Sequence, residues 1–414
     1  MTSAATTVRW FRLLVYGLIM ASAAGQFALV PVMPVYAHRL GLSGFQQGTV
    51  LAATGIAALA VCLRSGQLCE RFGARRMTLL AGLLMAAGSS GQALSGGFPE
   101  LFAARLAFGA GYGMVWTAGL AWLAAATPGG TPTLGATVAS GGIGGVLGPA
   151  ASGVLVQRLG LAAPPLATAV LFAVMTAGLA VLHMPAAQPA PRRSTAVSLR
   201  GVVANRGLVW AGVAVVTAGL TTSVCALLVP AELHANGATP AQTGLQFAIS
   251  GAVFAIGSAL TAASGRRALR VPVLCGAMLA QTAAISLAVA STATLPVVAM
   301  LYLTTMARSV LWTVSYPFAA SSGEQDGIGV GTSVGMLNTV WAATTVAAPL
   351  AAAVATAHFG PRGAFGLAEL ATLGLMAASW LAGAARRRNR PGGDGTDRHG
   401  RTASAASVGS AQIT

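Results

Sequence analysis

Apolar residues in this chain come in long unbroken blocks rather than with the short period of a half-buried element. Six blocks lie near residues 13–37, 45–64, 77–96, 99–122, 133–156 and 162–183. Six more lie near 207–229, 241–263, 271–291, 294–318, 331–356 and 364–384. Each is long enough for the about 20 residues that carry a helix across a bilayer core of about 30 Å. Hydrocarbon offers no partner to a bare peptide group, so such blocks predict α-helices whose hydrogen bonds close internally. Between the sixth and seventh blocks runs a polar segment with Pro and Arg, from Met184 to Arg206. Beyond Ala385 the chain turns Arg-rich and then Gly/Ser-rich, a composition that cannot bury enough apolar surface to fold. The pattern predicts an all-α integral membrane protein with twelve transmembrane helices. The expected parts are a six-helix bundle at 1–183, a central loop at 184–206, a second bundle at 207–384 and a disordered tail at 385–414.

Composition supports the membrane and excludes other classes. The chain is 55% hydrophobic and 8% charged, against about 25% charged in soluble domains, so it cannot cover a water-facing surface. The net charge is +16 and every basic residue is Arg. These arginines are scattered over loops and the tail and form no basic face, so nucleic acid is not an expected partner. With the first block entering from the cytoplasm, 19 of the 24 arginines fall on the cytoplasmic side and three outside, at Arg39, Arg158 and Arg362. By the positive-inside rule this fixes both termini in the cytoplasm and an even number of spans. Arg9, Arg12 and the apolar stretch after them mimic a signal peptide, but the block continues to Ala37 and reads as an uncleaved first span. Cys62, Cys69, Cys225 and Cys275 lie in or beside apolar blocks without zinc-ligand spacing and read as reduced thiols. The absence of Lys beside abundant Ala and Gly points to a GC-rich genome; the expected location is the inner (plasma) membrane of a bacterium.

The two halves echo each other. At a shift of 200 residues Gly135, Pro149 and Gly160 meet Gly335, Pro349 and Gly360, and at a shift of 196 Thr54-Gly55 meets Ser250-Gly251. Six-span halves have the same orientation, so these are parallel repeats related by an axis along the membrane normal.

Three motifs carry a family resemblance. The charged island Gly66-x-Leu-x-Glu70-Arg71-x-Gly73-x-Arg75-Arg76 resembles the loop between the second and third helices of major facilitator superfamily transporters. The resemblance implies that Glu70 pairs with loop arginines and meets the N-terminal end of the eleventh helix, at Gly331-Thr332-Ser333, as a gate. A carboxylate at such an end gains about 0.3–1 kcal/mol. The fourth span, with Leu101, Arg105 and Phe108-Gly109-Ala110-Gly111, is similar to the family's fourth-helix motif. An in-span Arg costs about 2.5–3.5 kcal/mol to insert; it either aids proton transfer, as the resemblance implies, or bonds backbone carbonyls. The fifth span, with Gly135, Gly144, Gly148, Pro149 and Gly153, resembles the antiporter motif of drug exporters; small residues at this spacing let helices approach backbone to backbone.

The repeat also pairs Tyr112 and Trp116 of the fourth span with Trp312 and Tyr316 of the tenth. In the family fold the first, fourth, seventh and tenth spans line the central cavity. The four aromatics are therefore candidates to wall a site for a flat or cationic apolar substrate, or are simple packing. Gln26, Thr221, Thr222 and Asn338 are further lining candidates. Proton coupling has no acid in the first span to use; the only acid well inside a span is Glu369, in the twelfth, and Arg308 in the tenth binds an anionic group or pairs with an acid. Enzyme signals are absent apart from a thin acid pair, Glu324 and Asp326. These readings converge on a secondary transporter in the plasma membrane, a monomer without cofactor. It is expected to export small amphipathic drug-like or secondary-metabolite molecules against protons. The alternatives are an importer or uniporter of a polar metabolite, or an enzyme or sensor on a transporter scaffold.

Overall fold

The computed structural model describes residues 4–125, 131–182, 205–328 and 330–388, with backbone alone for a few stretches, among them 62–67, 70, 131–135 and 330–331. Every regular element among them is helical, and eleven helices are long and apolar enough to cross a membrane. The first span is Ala4–Ala28, continued by a 3-10 turn at Val30–Val32 and the helix Met33–Leu40. The second is Gly44–Phe72, the third Ala74–Leu94, the fifth Thr131–Leu159 and the sixth Ala163–Val181. The fourth is Phe98–Met114, a π-helical turn at Val115–Gly119, and Leu120–Ala125. The seventh to tenth are Arg206–Ala235, Pro240–Ala263, Val271–Ala290 and Thr294–Gln325. The last helix, Val330–Arg388, has 59 residues but is broken at Gly360, which sits at φ 70° and ψ 178°. At 1.5 Å per residue an unbroken helix of that length would run about 90 Å, roughly three times the bilayer core. The arms before and after Gly360 serve as the eleventh and twelfth spans. The central segment and most of the tail fall outside the described residues.

The charged island differs from expectation. It is not a loop: the second helix runs on through Phe72, and only Gly73, at φ 84°, separates it from the helix that starts at Ala74. A single residue in the left-handed region turns the chain, which is a glycine's role. The first span also breaks where its apolar block gave no sign. Pro31 and Pro34 lack the N–H that an α-helix needs, so the chain passes through the 3-10 turn before resuming.

The two halves meet along two seams, the second span against the eleventh and the fifth against the eighth. Both seams are built from the same parts. A Cβ added at Gly48 would lie 2.7 Å from the Pro349 carbonyl oxygen, and one at Gly244 would overlap the Pro149 carbonyl oxygen. Deeper along each helix, Gly55 faces Thr345 and Val346 while Gly251 faces Val146. Gly48 and Gly244 differ by 196 positions, as do Gly55 and Gly251, and Pro149 and Pro349 differ by 200. The weak internal echo in the sequence thus marks the contacts that join the halves. Among the described residues these glycine contacts run from the face opposite the termini to mid-helix, and none lies nearer the terminal face. The outer part of the first span closes the same side by touching the seventh and eighth spans.

A methyl group at either first-rank glycine must separate the halves on the closed side. Overpacking of this kind costs about 1–3 kcal/mol. Gly48→Ala and Gly244→Ala should each raise, severalfold, the labelling of a cysteine placed at Ala353 by a membrane-impermeant maleimide applied to the closed face. Labelling no faster than in the unsubstituted background would show that the seams do not hold that face shut.

Candidate functional site

The charged segment is held at its far end by the sixth span. Arg75 donates from Nη2 to the Ala180 carbonyl at 2.8 Å, which caps a helix C-terminus with a cation. Arg71 lies over the Phe72 ring at 5.2 Å, and it and Arg76 are exposed. The Glu70 side chain and the surroundings of Gly66 and Gly331 lie outside the described residues, and so does the expected meeting of Glu70 with the eleventh span. Ser333, near that span's start, is buried against Gly323 of the tenth.

The glycines of the fifth span serve two partners. Added Cβ atoms at Gly144 and Gly148 would overlap the Met20 and Ala24 carbonyl oxygens of the first span. Gly153 instead meets the Pro240 backbone of the eighth, and Pro149 presents its carbonyl to Gly244. Ser152, at a position where the motif has Gly, donates its hydroxyl to the Ala28 carbonyl. Gly135 lies in the helix, with its surroundings outside the described residues. One helix thus touches the first span with one face and the opposite half with another.

Each half holds one arginine in mid-membrane, tied to the first helix of its own bundle. Arg105 is fully buried; its Nη2 donates to Gln26 Oε1 at 3.0 Å and its guanidinium lies 5.0 Å from the Phe108 ring. Its Nε and Nη1 have no partner. Arg308 is partly exposed; it donates to Thr222 Oγ1 at 2.9 Å and Thr305 Oγ1 at 3.3 Å, above the Phe254 ring at 5.8 Å. Thr305 is in turn bonded to Ser250. Gln26 and Thr222 are again 196 positions apart, but the arginines are not: at the 200 shift that pairs the aromatics, Arg308 aligns with Phe108 and Arg105 with Thr305. Thr221 is buried with its hydroxyl unpartnered, so it lines no open surface here.

The aromatic positions come together within each half, with different neighbours. Tyr112 and Trp116 pack at 6.2 Å between ring centres, with Trp116 on or beside the π-helical turn, a device frequent at functional sites. The Trp116 ring lies against the bare backbone of Gly141. In the second half Trp312 packs edge-on against Tyr316 at 5.2 Å and against Trp341 at 4.6 Å, and Tyr316 donates to Asn338 Oδ1 at 2.9 Å. Trp341 stands where the first half has Gly141; it was missed because it has no aromatic mate. Pro317 sits inside the continuous tenth helix at the position where the fourth has its π-helical turn.

Glu369 accepts from Ser286 of the ninth span at 2.7 Å. Asp326 accepts from Asn205, the residue that caps the seventh span, at 2.8 Å. That gives half of the acid pair a structural task.

Residues 15–337 match the Major Facilitator Superfamily. The chain belongs to this superfamily of membrane transporters. A curated relative, an uncharacterized MFS-type transporter of Bacillus subtilis named YuxJ, is 31% identical over 162 residues, 37% of this chain and 41% of the relative. The alignment thus spans less than half of that protein. Among solved structures, a bacterial homolog of the human lysosomal transporter Spinster in an inward-facing, unoccupied conformation superposes with a TM-score of 0.72 at 12% identity, covering 91% of this chain and 96% of that one. The nucleoside transporter NupG gives 0.71 at 13% identity with 91% and 99% coverage. A D-xylose-proton symporter gives 0.67 at 14% with 90% and 97%. Identities this low carry the fold alone. The transporter is accordingly a multi-pass protein of the bilayer.

The arginine tethers make unequal demands. Gln26→Leu leaves every guanidinium nitrogen of buried Arg105 unbonded, a loss of about 1.5–3 kcal/mol for a hydrogen bond to a charged group. Thr222→Val leaves Arg308 bonded to Thr305 and partly open to water. The thermal unfolding midpoint in detergent should fall clearly more for Gln26→Leu; an equal or larger fall for Thr222→Val contradicts the assignment.

Proposed function

We propose that this transporter exports small amphipathic drug-like or secondary-metabolite compounds from the bacterial cytoplasm across the inner membrane in exchange for protons. The direction is supported by the resemblance of the fifth span to the antiporter motif of drug exporters, and the contacts show a double use of that span. Gly144 and Gly148 seat the first span while Pro149 and Gly153 join the eighth, so movement across one seam is mechanically tied to a central helix of the same half. With the termini cytoplasmic, the seams shut the outer side and leave the cytoplasmic side as the loading side. Alternating access then consists of parting the seams and closing the terminal face, with the Gly66–Arg76 segment as the gate.

The acids of the four central spans stand only at their ends, at Glu100, Glu232 and Glu324. With Glu369 at the ninth span, Arg105 and Arg308 are the coupling candidates on central helices. The same lack of a mid-span acid favours a second reading, an importer or uniporter of a polar metabolite.

A panel of amphipathic compounds in everted vesicles separates the two. Export by antiport predicts accumulation that a protonophore collapses; uptake into whole cells that rises with expression sinks the export direction. Glu369→Gln should leave pH-driven transport within about twofold, because it alters a bond to Ser286 that nets only about 0.5–1.5 kcal/mol. Trp116→Ala and Tyr316→Ala should change the ranking of compounds by apparent affinity, whereas a uniform loss for all compounds assigns these rings to packing.

A further inference from the structure

The chain has eight acids, and none lies in the middle of the first, fourth, seventh or tenth span. Two guanidiniums do. Among the described residues neither Arg105 nor Arg308 has a carboxylate partner; their bonds go to an amide and two hydroxyls. Neutral groups solvate a guanidinium but do not cancel its charge, so the heart of the protein is uniformly positive. A cationic substrate would be repelled there, while an anion would complete the site. This reverses the expectation, drawn from the aromatics alone, of a cationic guest.

The tenth span shows what else such an anion carries. Arg308, Trp312 and Tyr316 follow at intervals of four and lie on one helix face. At 1.5 Å per residue the row is about 12 Å long. Its rings are fixed, Trp312 by Trp341 and Tyr316 by Asn338. The tenth span runs toward the terminal face, so a guest entering there passes Tyr316 and Trp312 before it reaches Arg308. The fourth span repeats the order with Arg105, Tyr112 and Trp116, but Arg105 is fully buried while Arg308 is partly exposed.

We propose that the substrate is an amphipathic organic anion, its negative group at Arg308 between Thr222 and Thr305 and its apolar ring along Trp312 and Tyr316. The proposal rests on the transporter reading but is tested apart from it. The full chain, purified in a zwitterionic detergent, is titrated calorimetrically with three probes on one ring: naphthalene-2-sulfonate, 2-naphthol and 2-naphthyltrimethylammonium. The expected result is that the sulfonate binds at least tenfold more tightly than the other two. Arg308→Gln should lower sulfonate affinity at least tenfold, Arg308→Lys should recover part of it, and Trp312→Ala should lower it severalfold, with unfolding midpoints confirming that each variant is folded. Binding of the cation or naphthol equal to the sulfonate, no binding of any probe, or an unchanged affinity in folded Arg308→Gln overturns the proposal. Counterflow in proteoliposomes separates the two claims. Sulfonate that binds but never moves removes the transport reading and keeps the anion site; movement of the neutral or cationic probe with exclusion of the sulfonate does the reverse.

Discussion

Two glycine-to-proline-carbonyl contacts join the halves of this transporter, Gly48 on Pro349 and Gly244 on Pro149. Both need a helix backbone to come within van der Waals range of another, which a side chain larger than hydrogen prevents. The contact is one of shape: the N–H that proline lacks leaves free the carbonyl four residues earlier, at Gly145 and Thr345, not the proline carbonyl on which the glycine rests. Each contact is backed about two turns deeper by a second glycine, Gly55 or Gly251. Below them the halves share no such contact among the described residues. Among the described residues the molecule is closed at one face by backbone shape, with no ion pair across the seams.

Within each bundle the costly element is an in-span arginine, and each is tethered to the first helix of its half from a position that the repeat does not share. Arg105 reaches Gln26 and Arg308 reaches Thr222, in each case from the fourth helix of the half to its first. The fifth span packs on the first while it forms the fifth–eighth seam, so the helix that holds Gln26 adjoins the closure. The asymmetries also carry meaning. Trp341 stiffens the aromatic row of the second half, while Gly141 leaves Trp116 packed on bare backbone. The first half seals its arginine and the second leaves it partly open.

The apolar blocks, the mid-span arginines, the fifth-span glycines and the repeat offsets were all legible in the chain. So was the Tyr112/Trp116–Trp312/Tyr316 pairing, because a shift of 200 aligns it. The continuation of the second helix through Gly66–Phe72 was not. Charge there marks where the bilayer ends, and a helix does not stop because it leaves lipid; only Gly73 supplies the turn. The break at Val30–Val32 and the π-helical turn at Val115–Gly119 were hidden because hydropathy does not change across them.

Sequence by itself determined that this chain is a helical membrane protein of two parallel halves, because burial in hydrocarbon leaves the backbone no other solution and because a repeated fold leaves repeated offsets. It also determined that the middle of the membrane holds arginines and no acid in the central helices. Tertiary structure alone decided what each of those residues does. It placed Glu369 against the ninth span, left Arg308 bonded only to hydroxyls, and divided the fifth-span glycines between a neighbour in the same half and one across the seam. Such assignments depend on which faces of distant helices meet, and that is set by backbone approach between segments about 100–300 positions apart, beyond the reach of any local pattern.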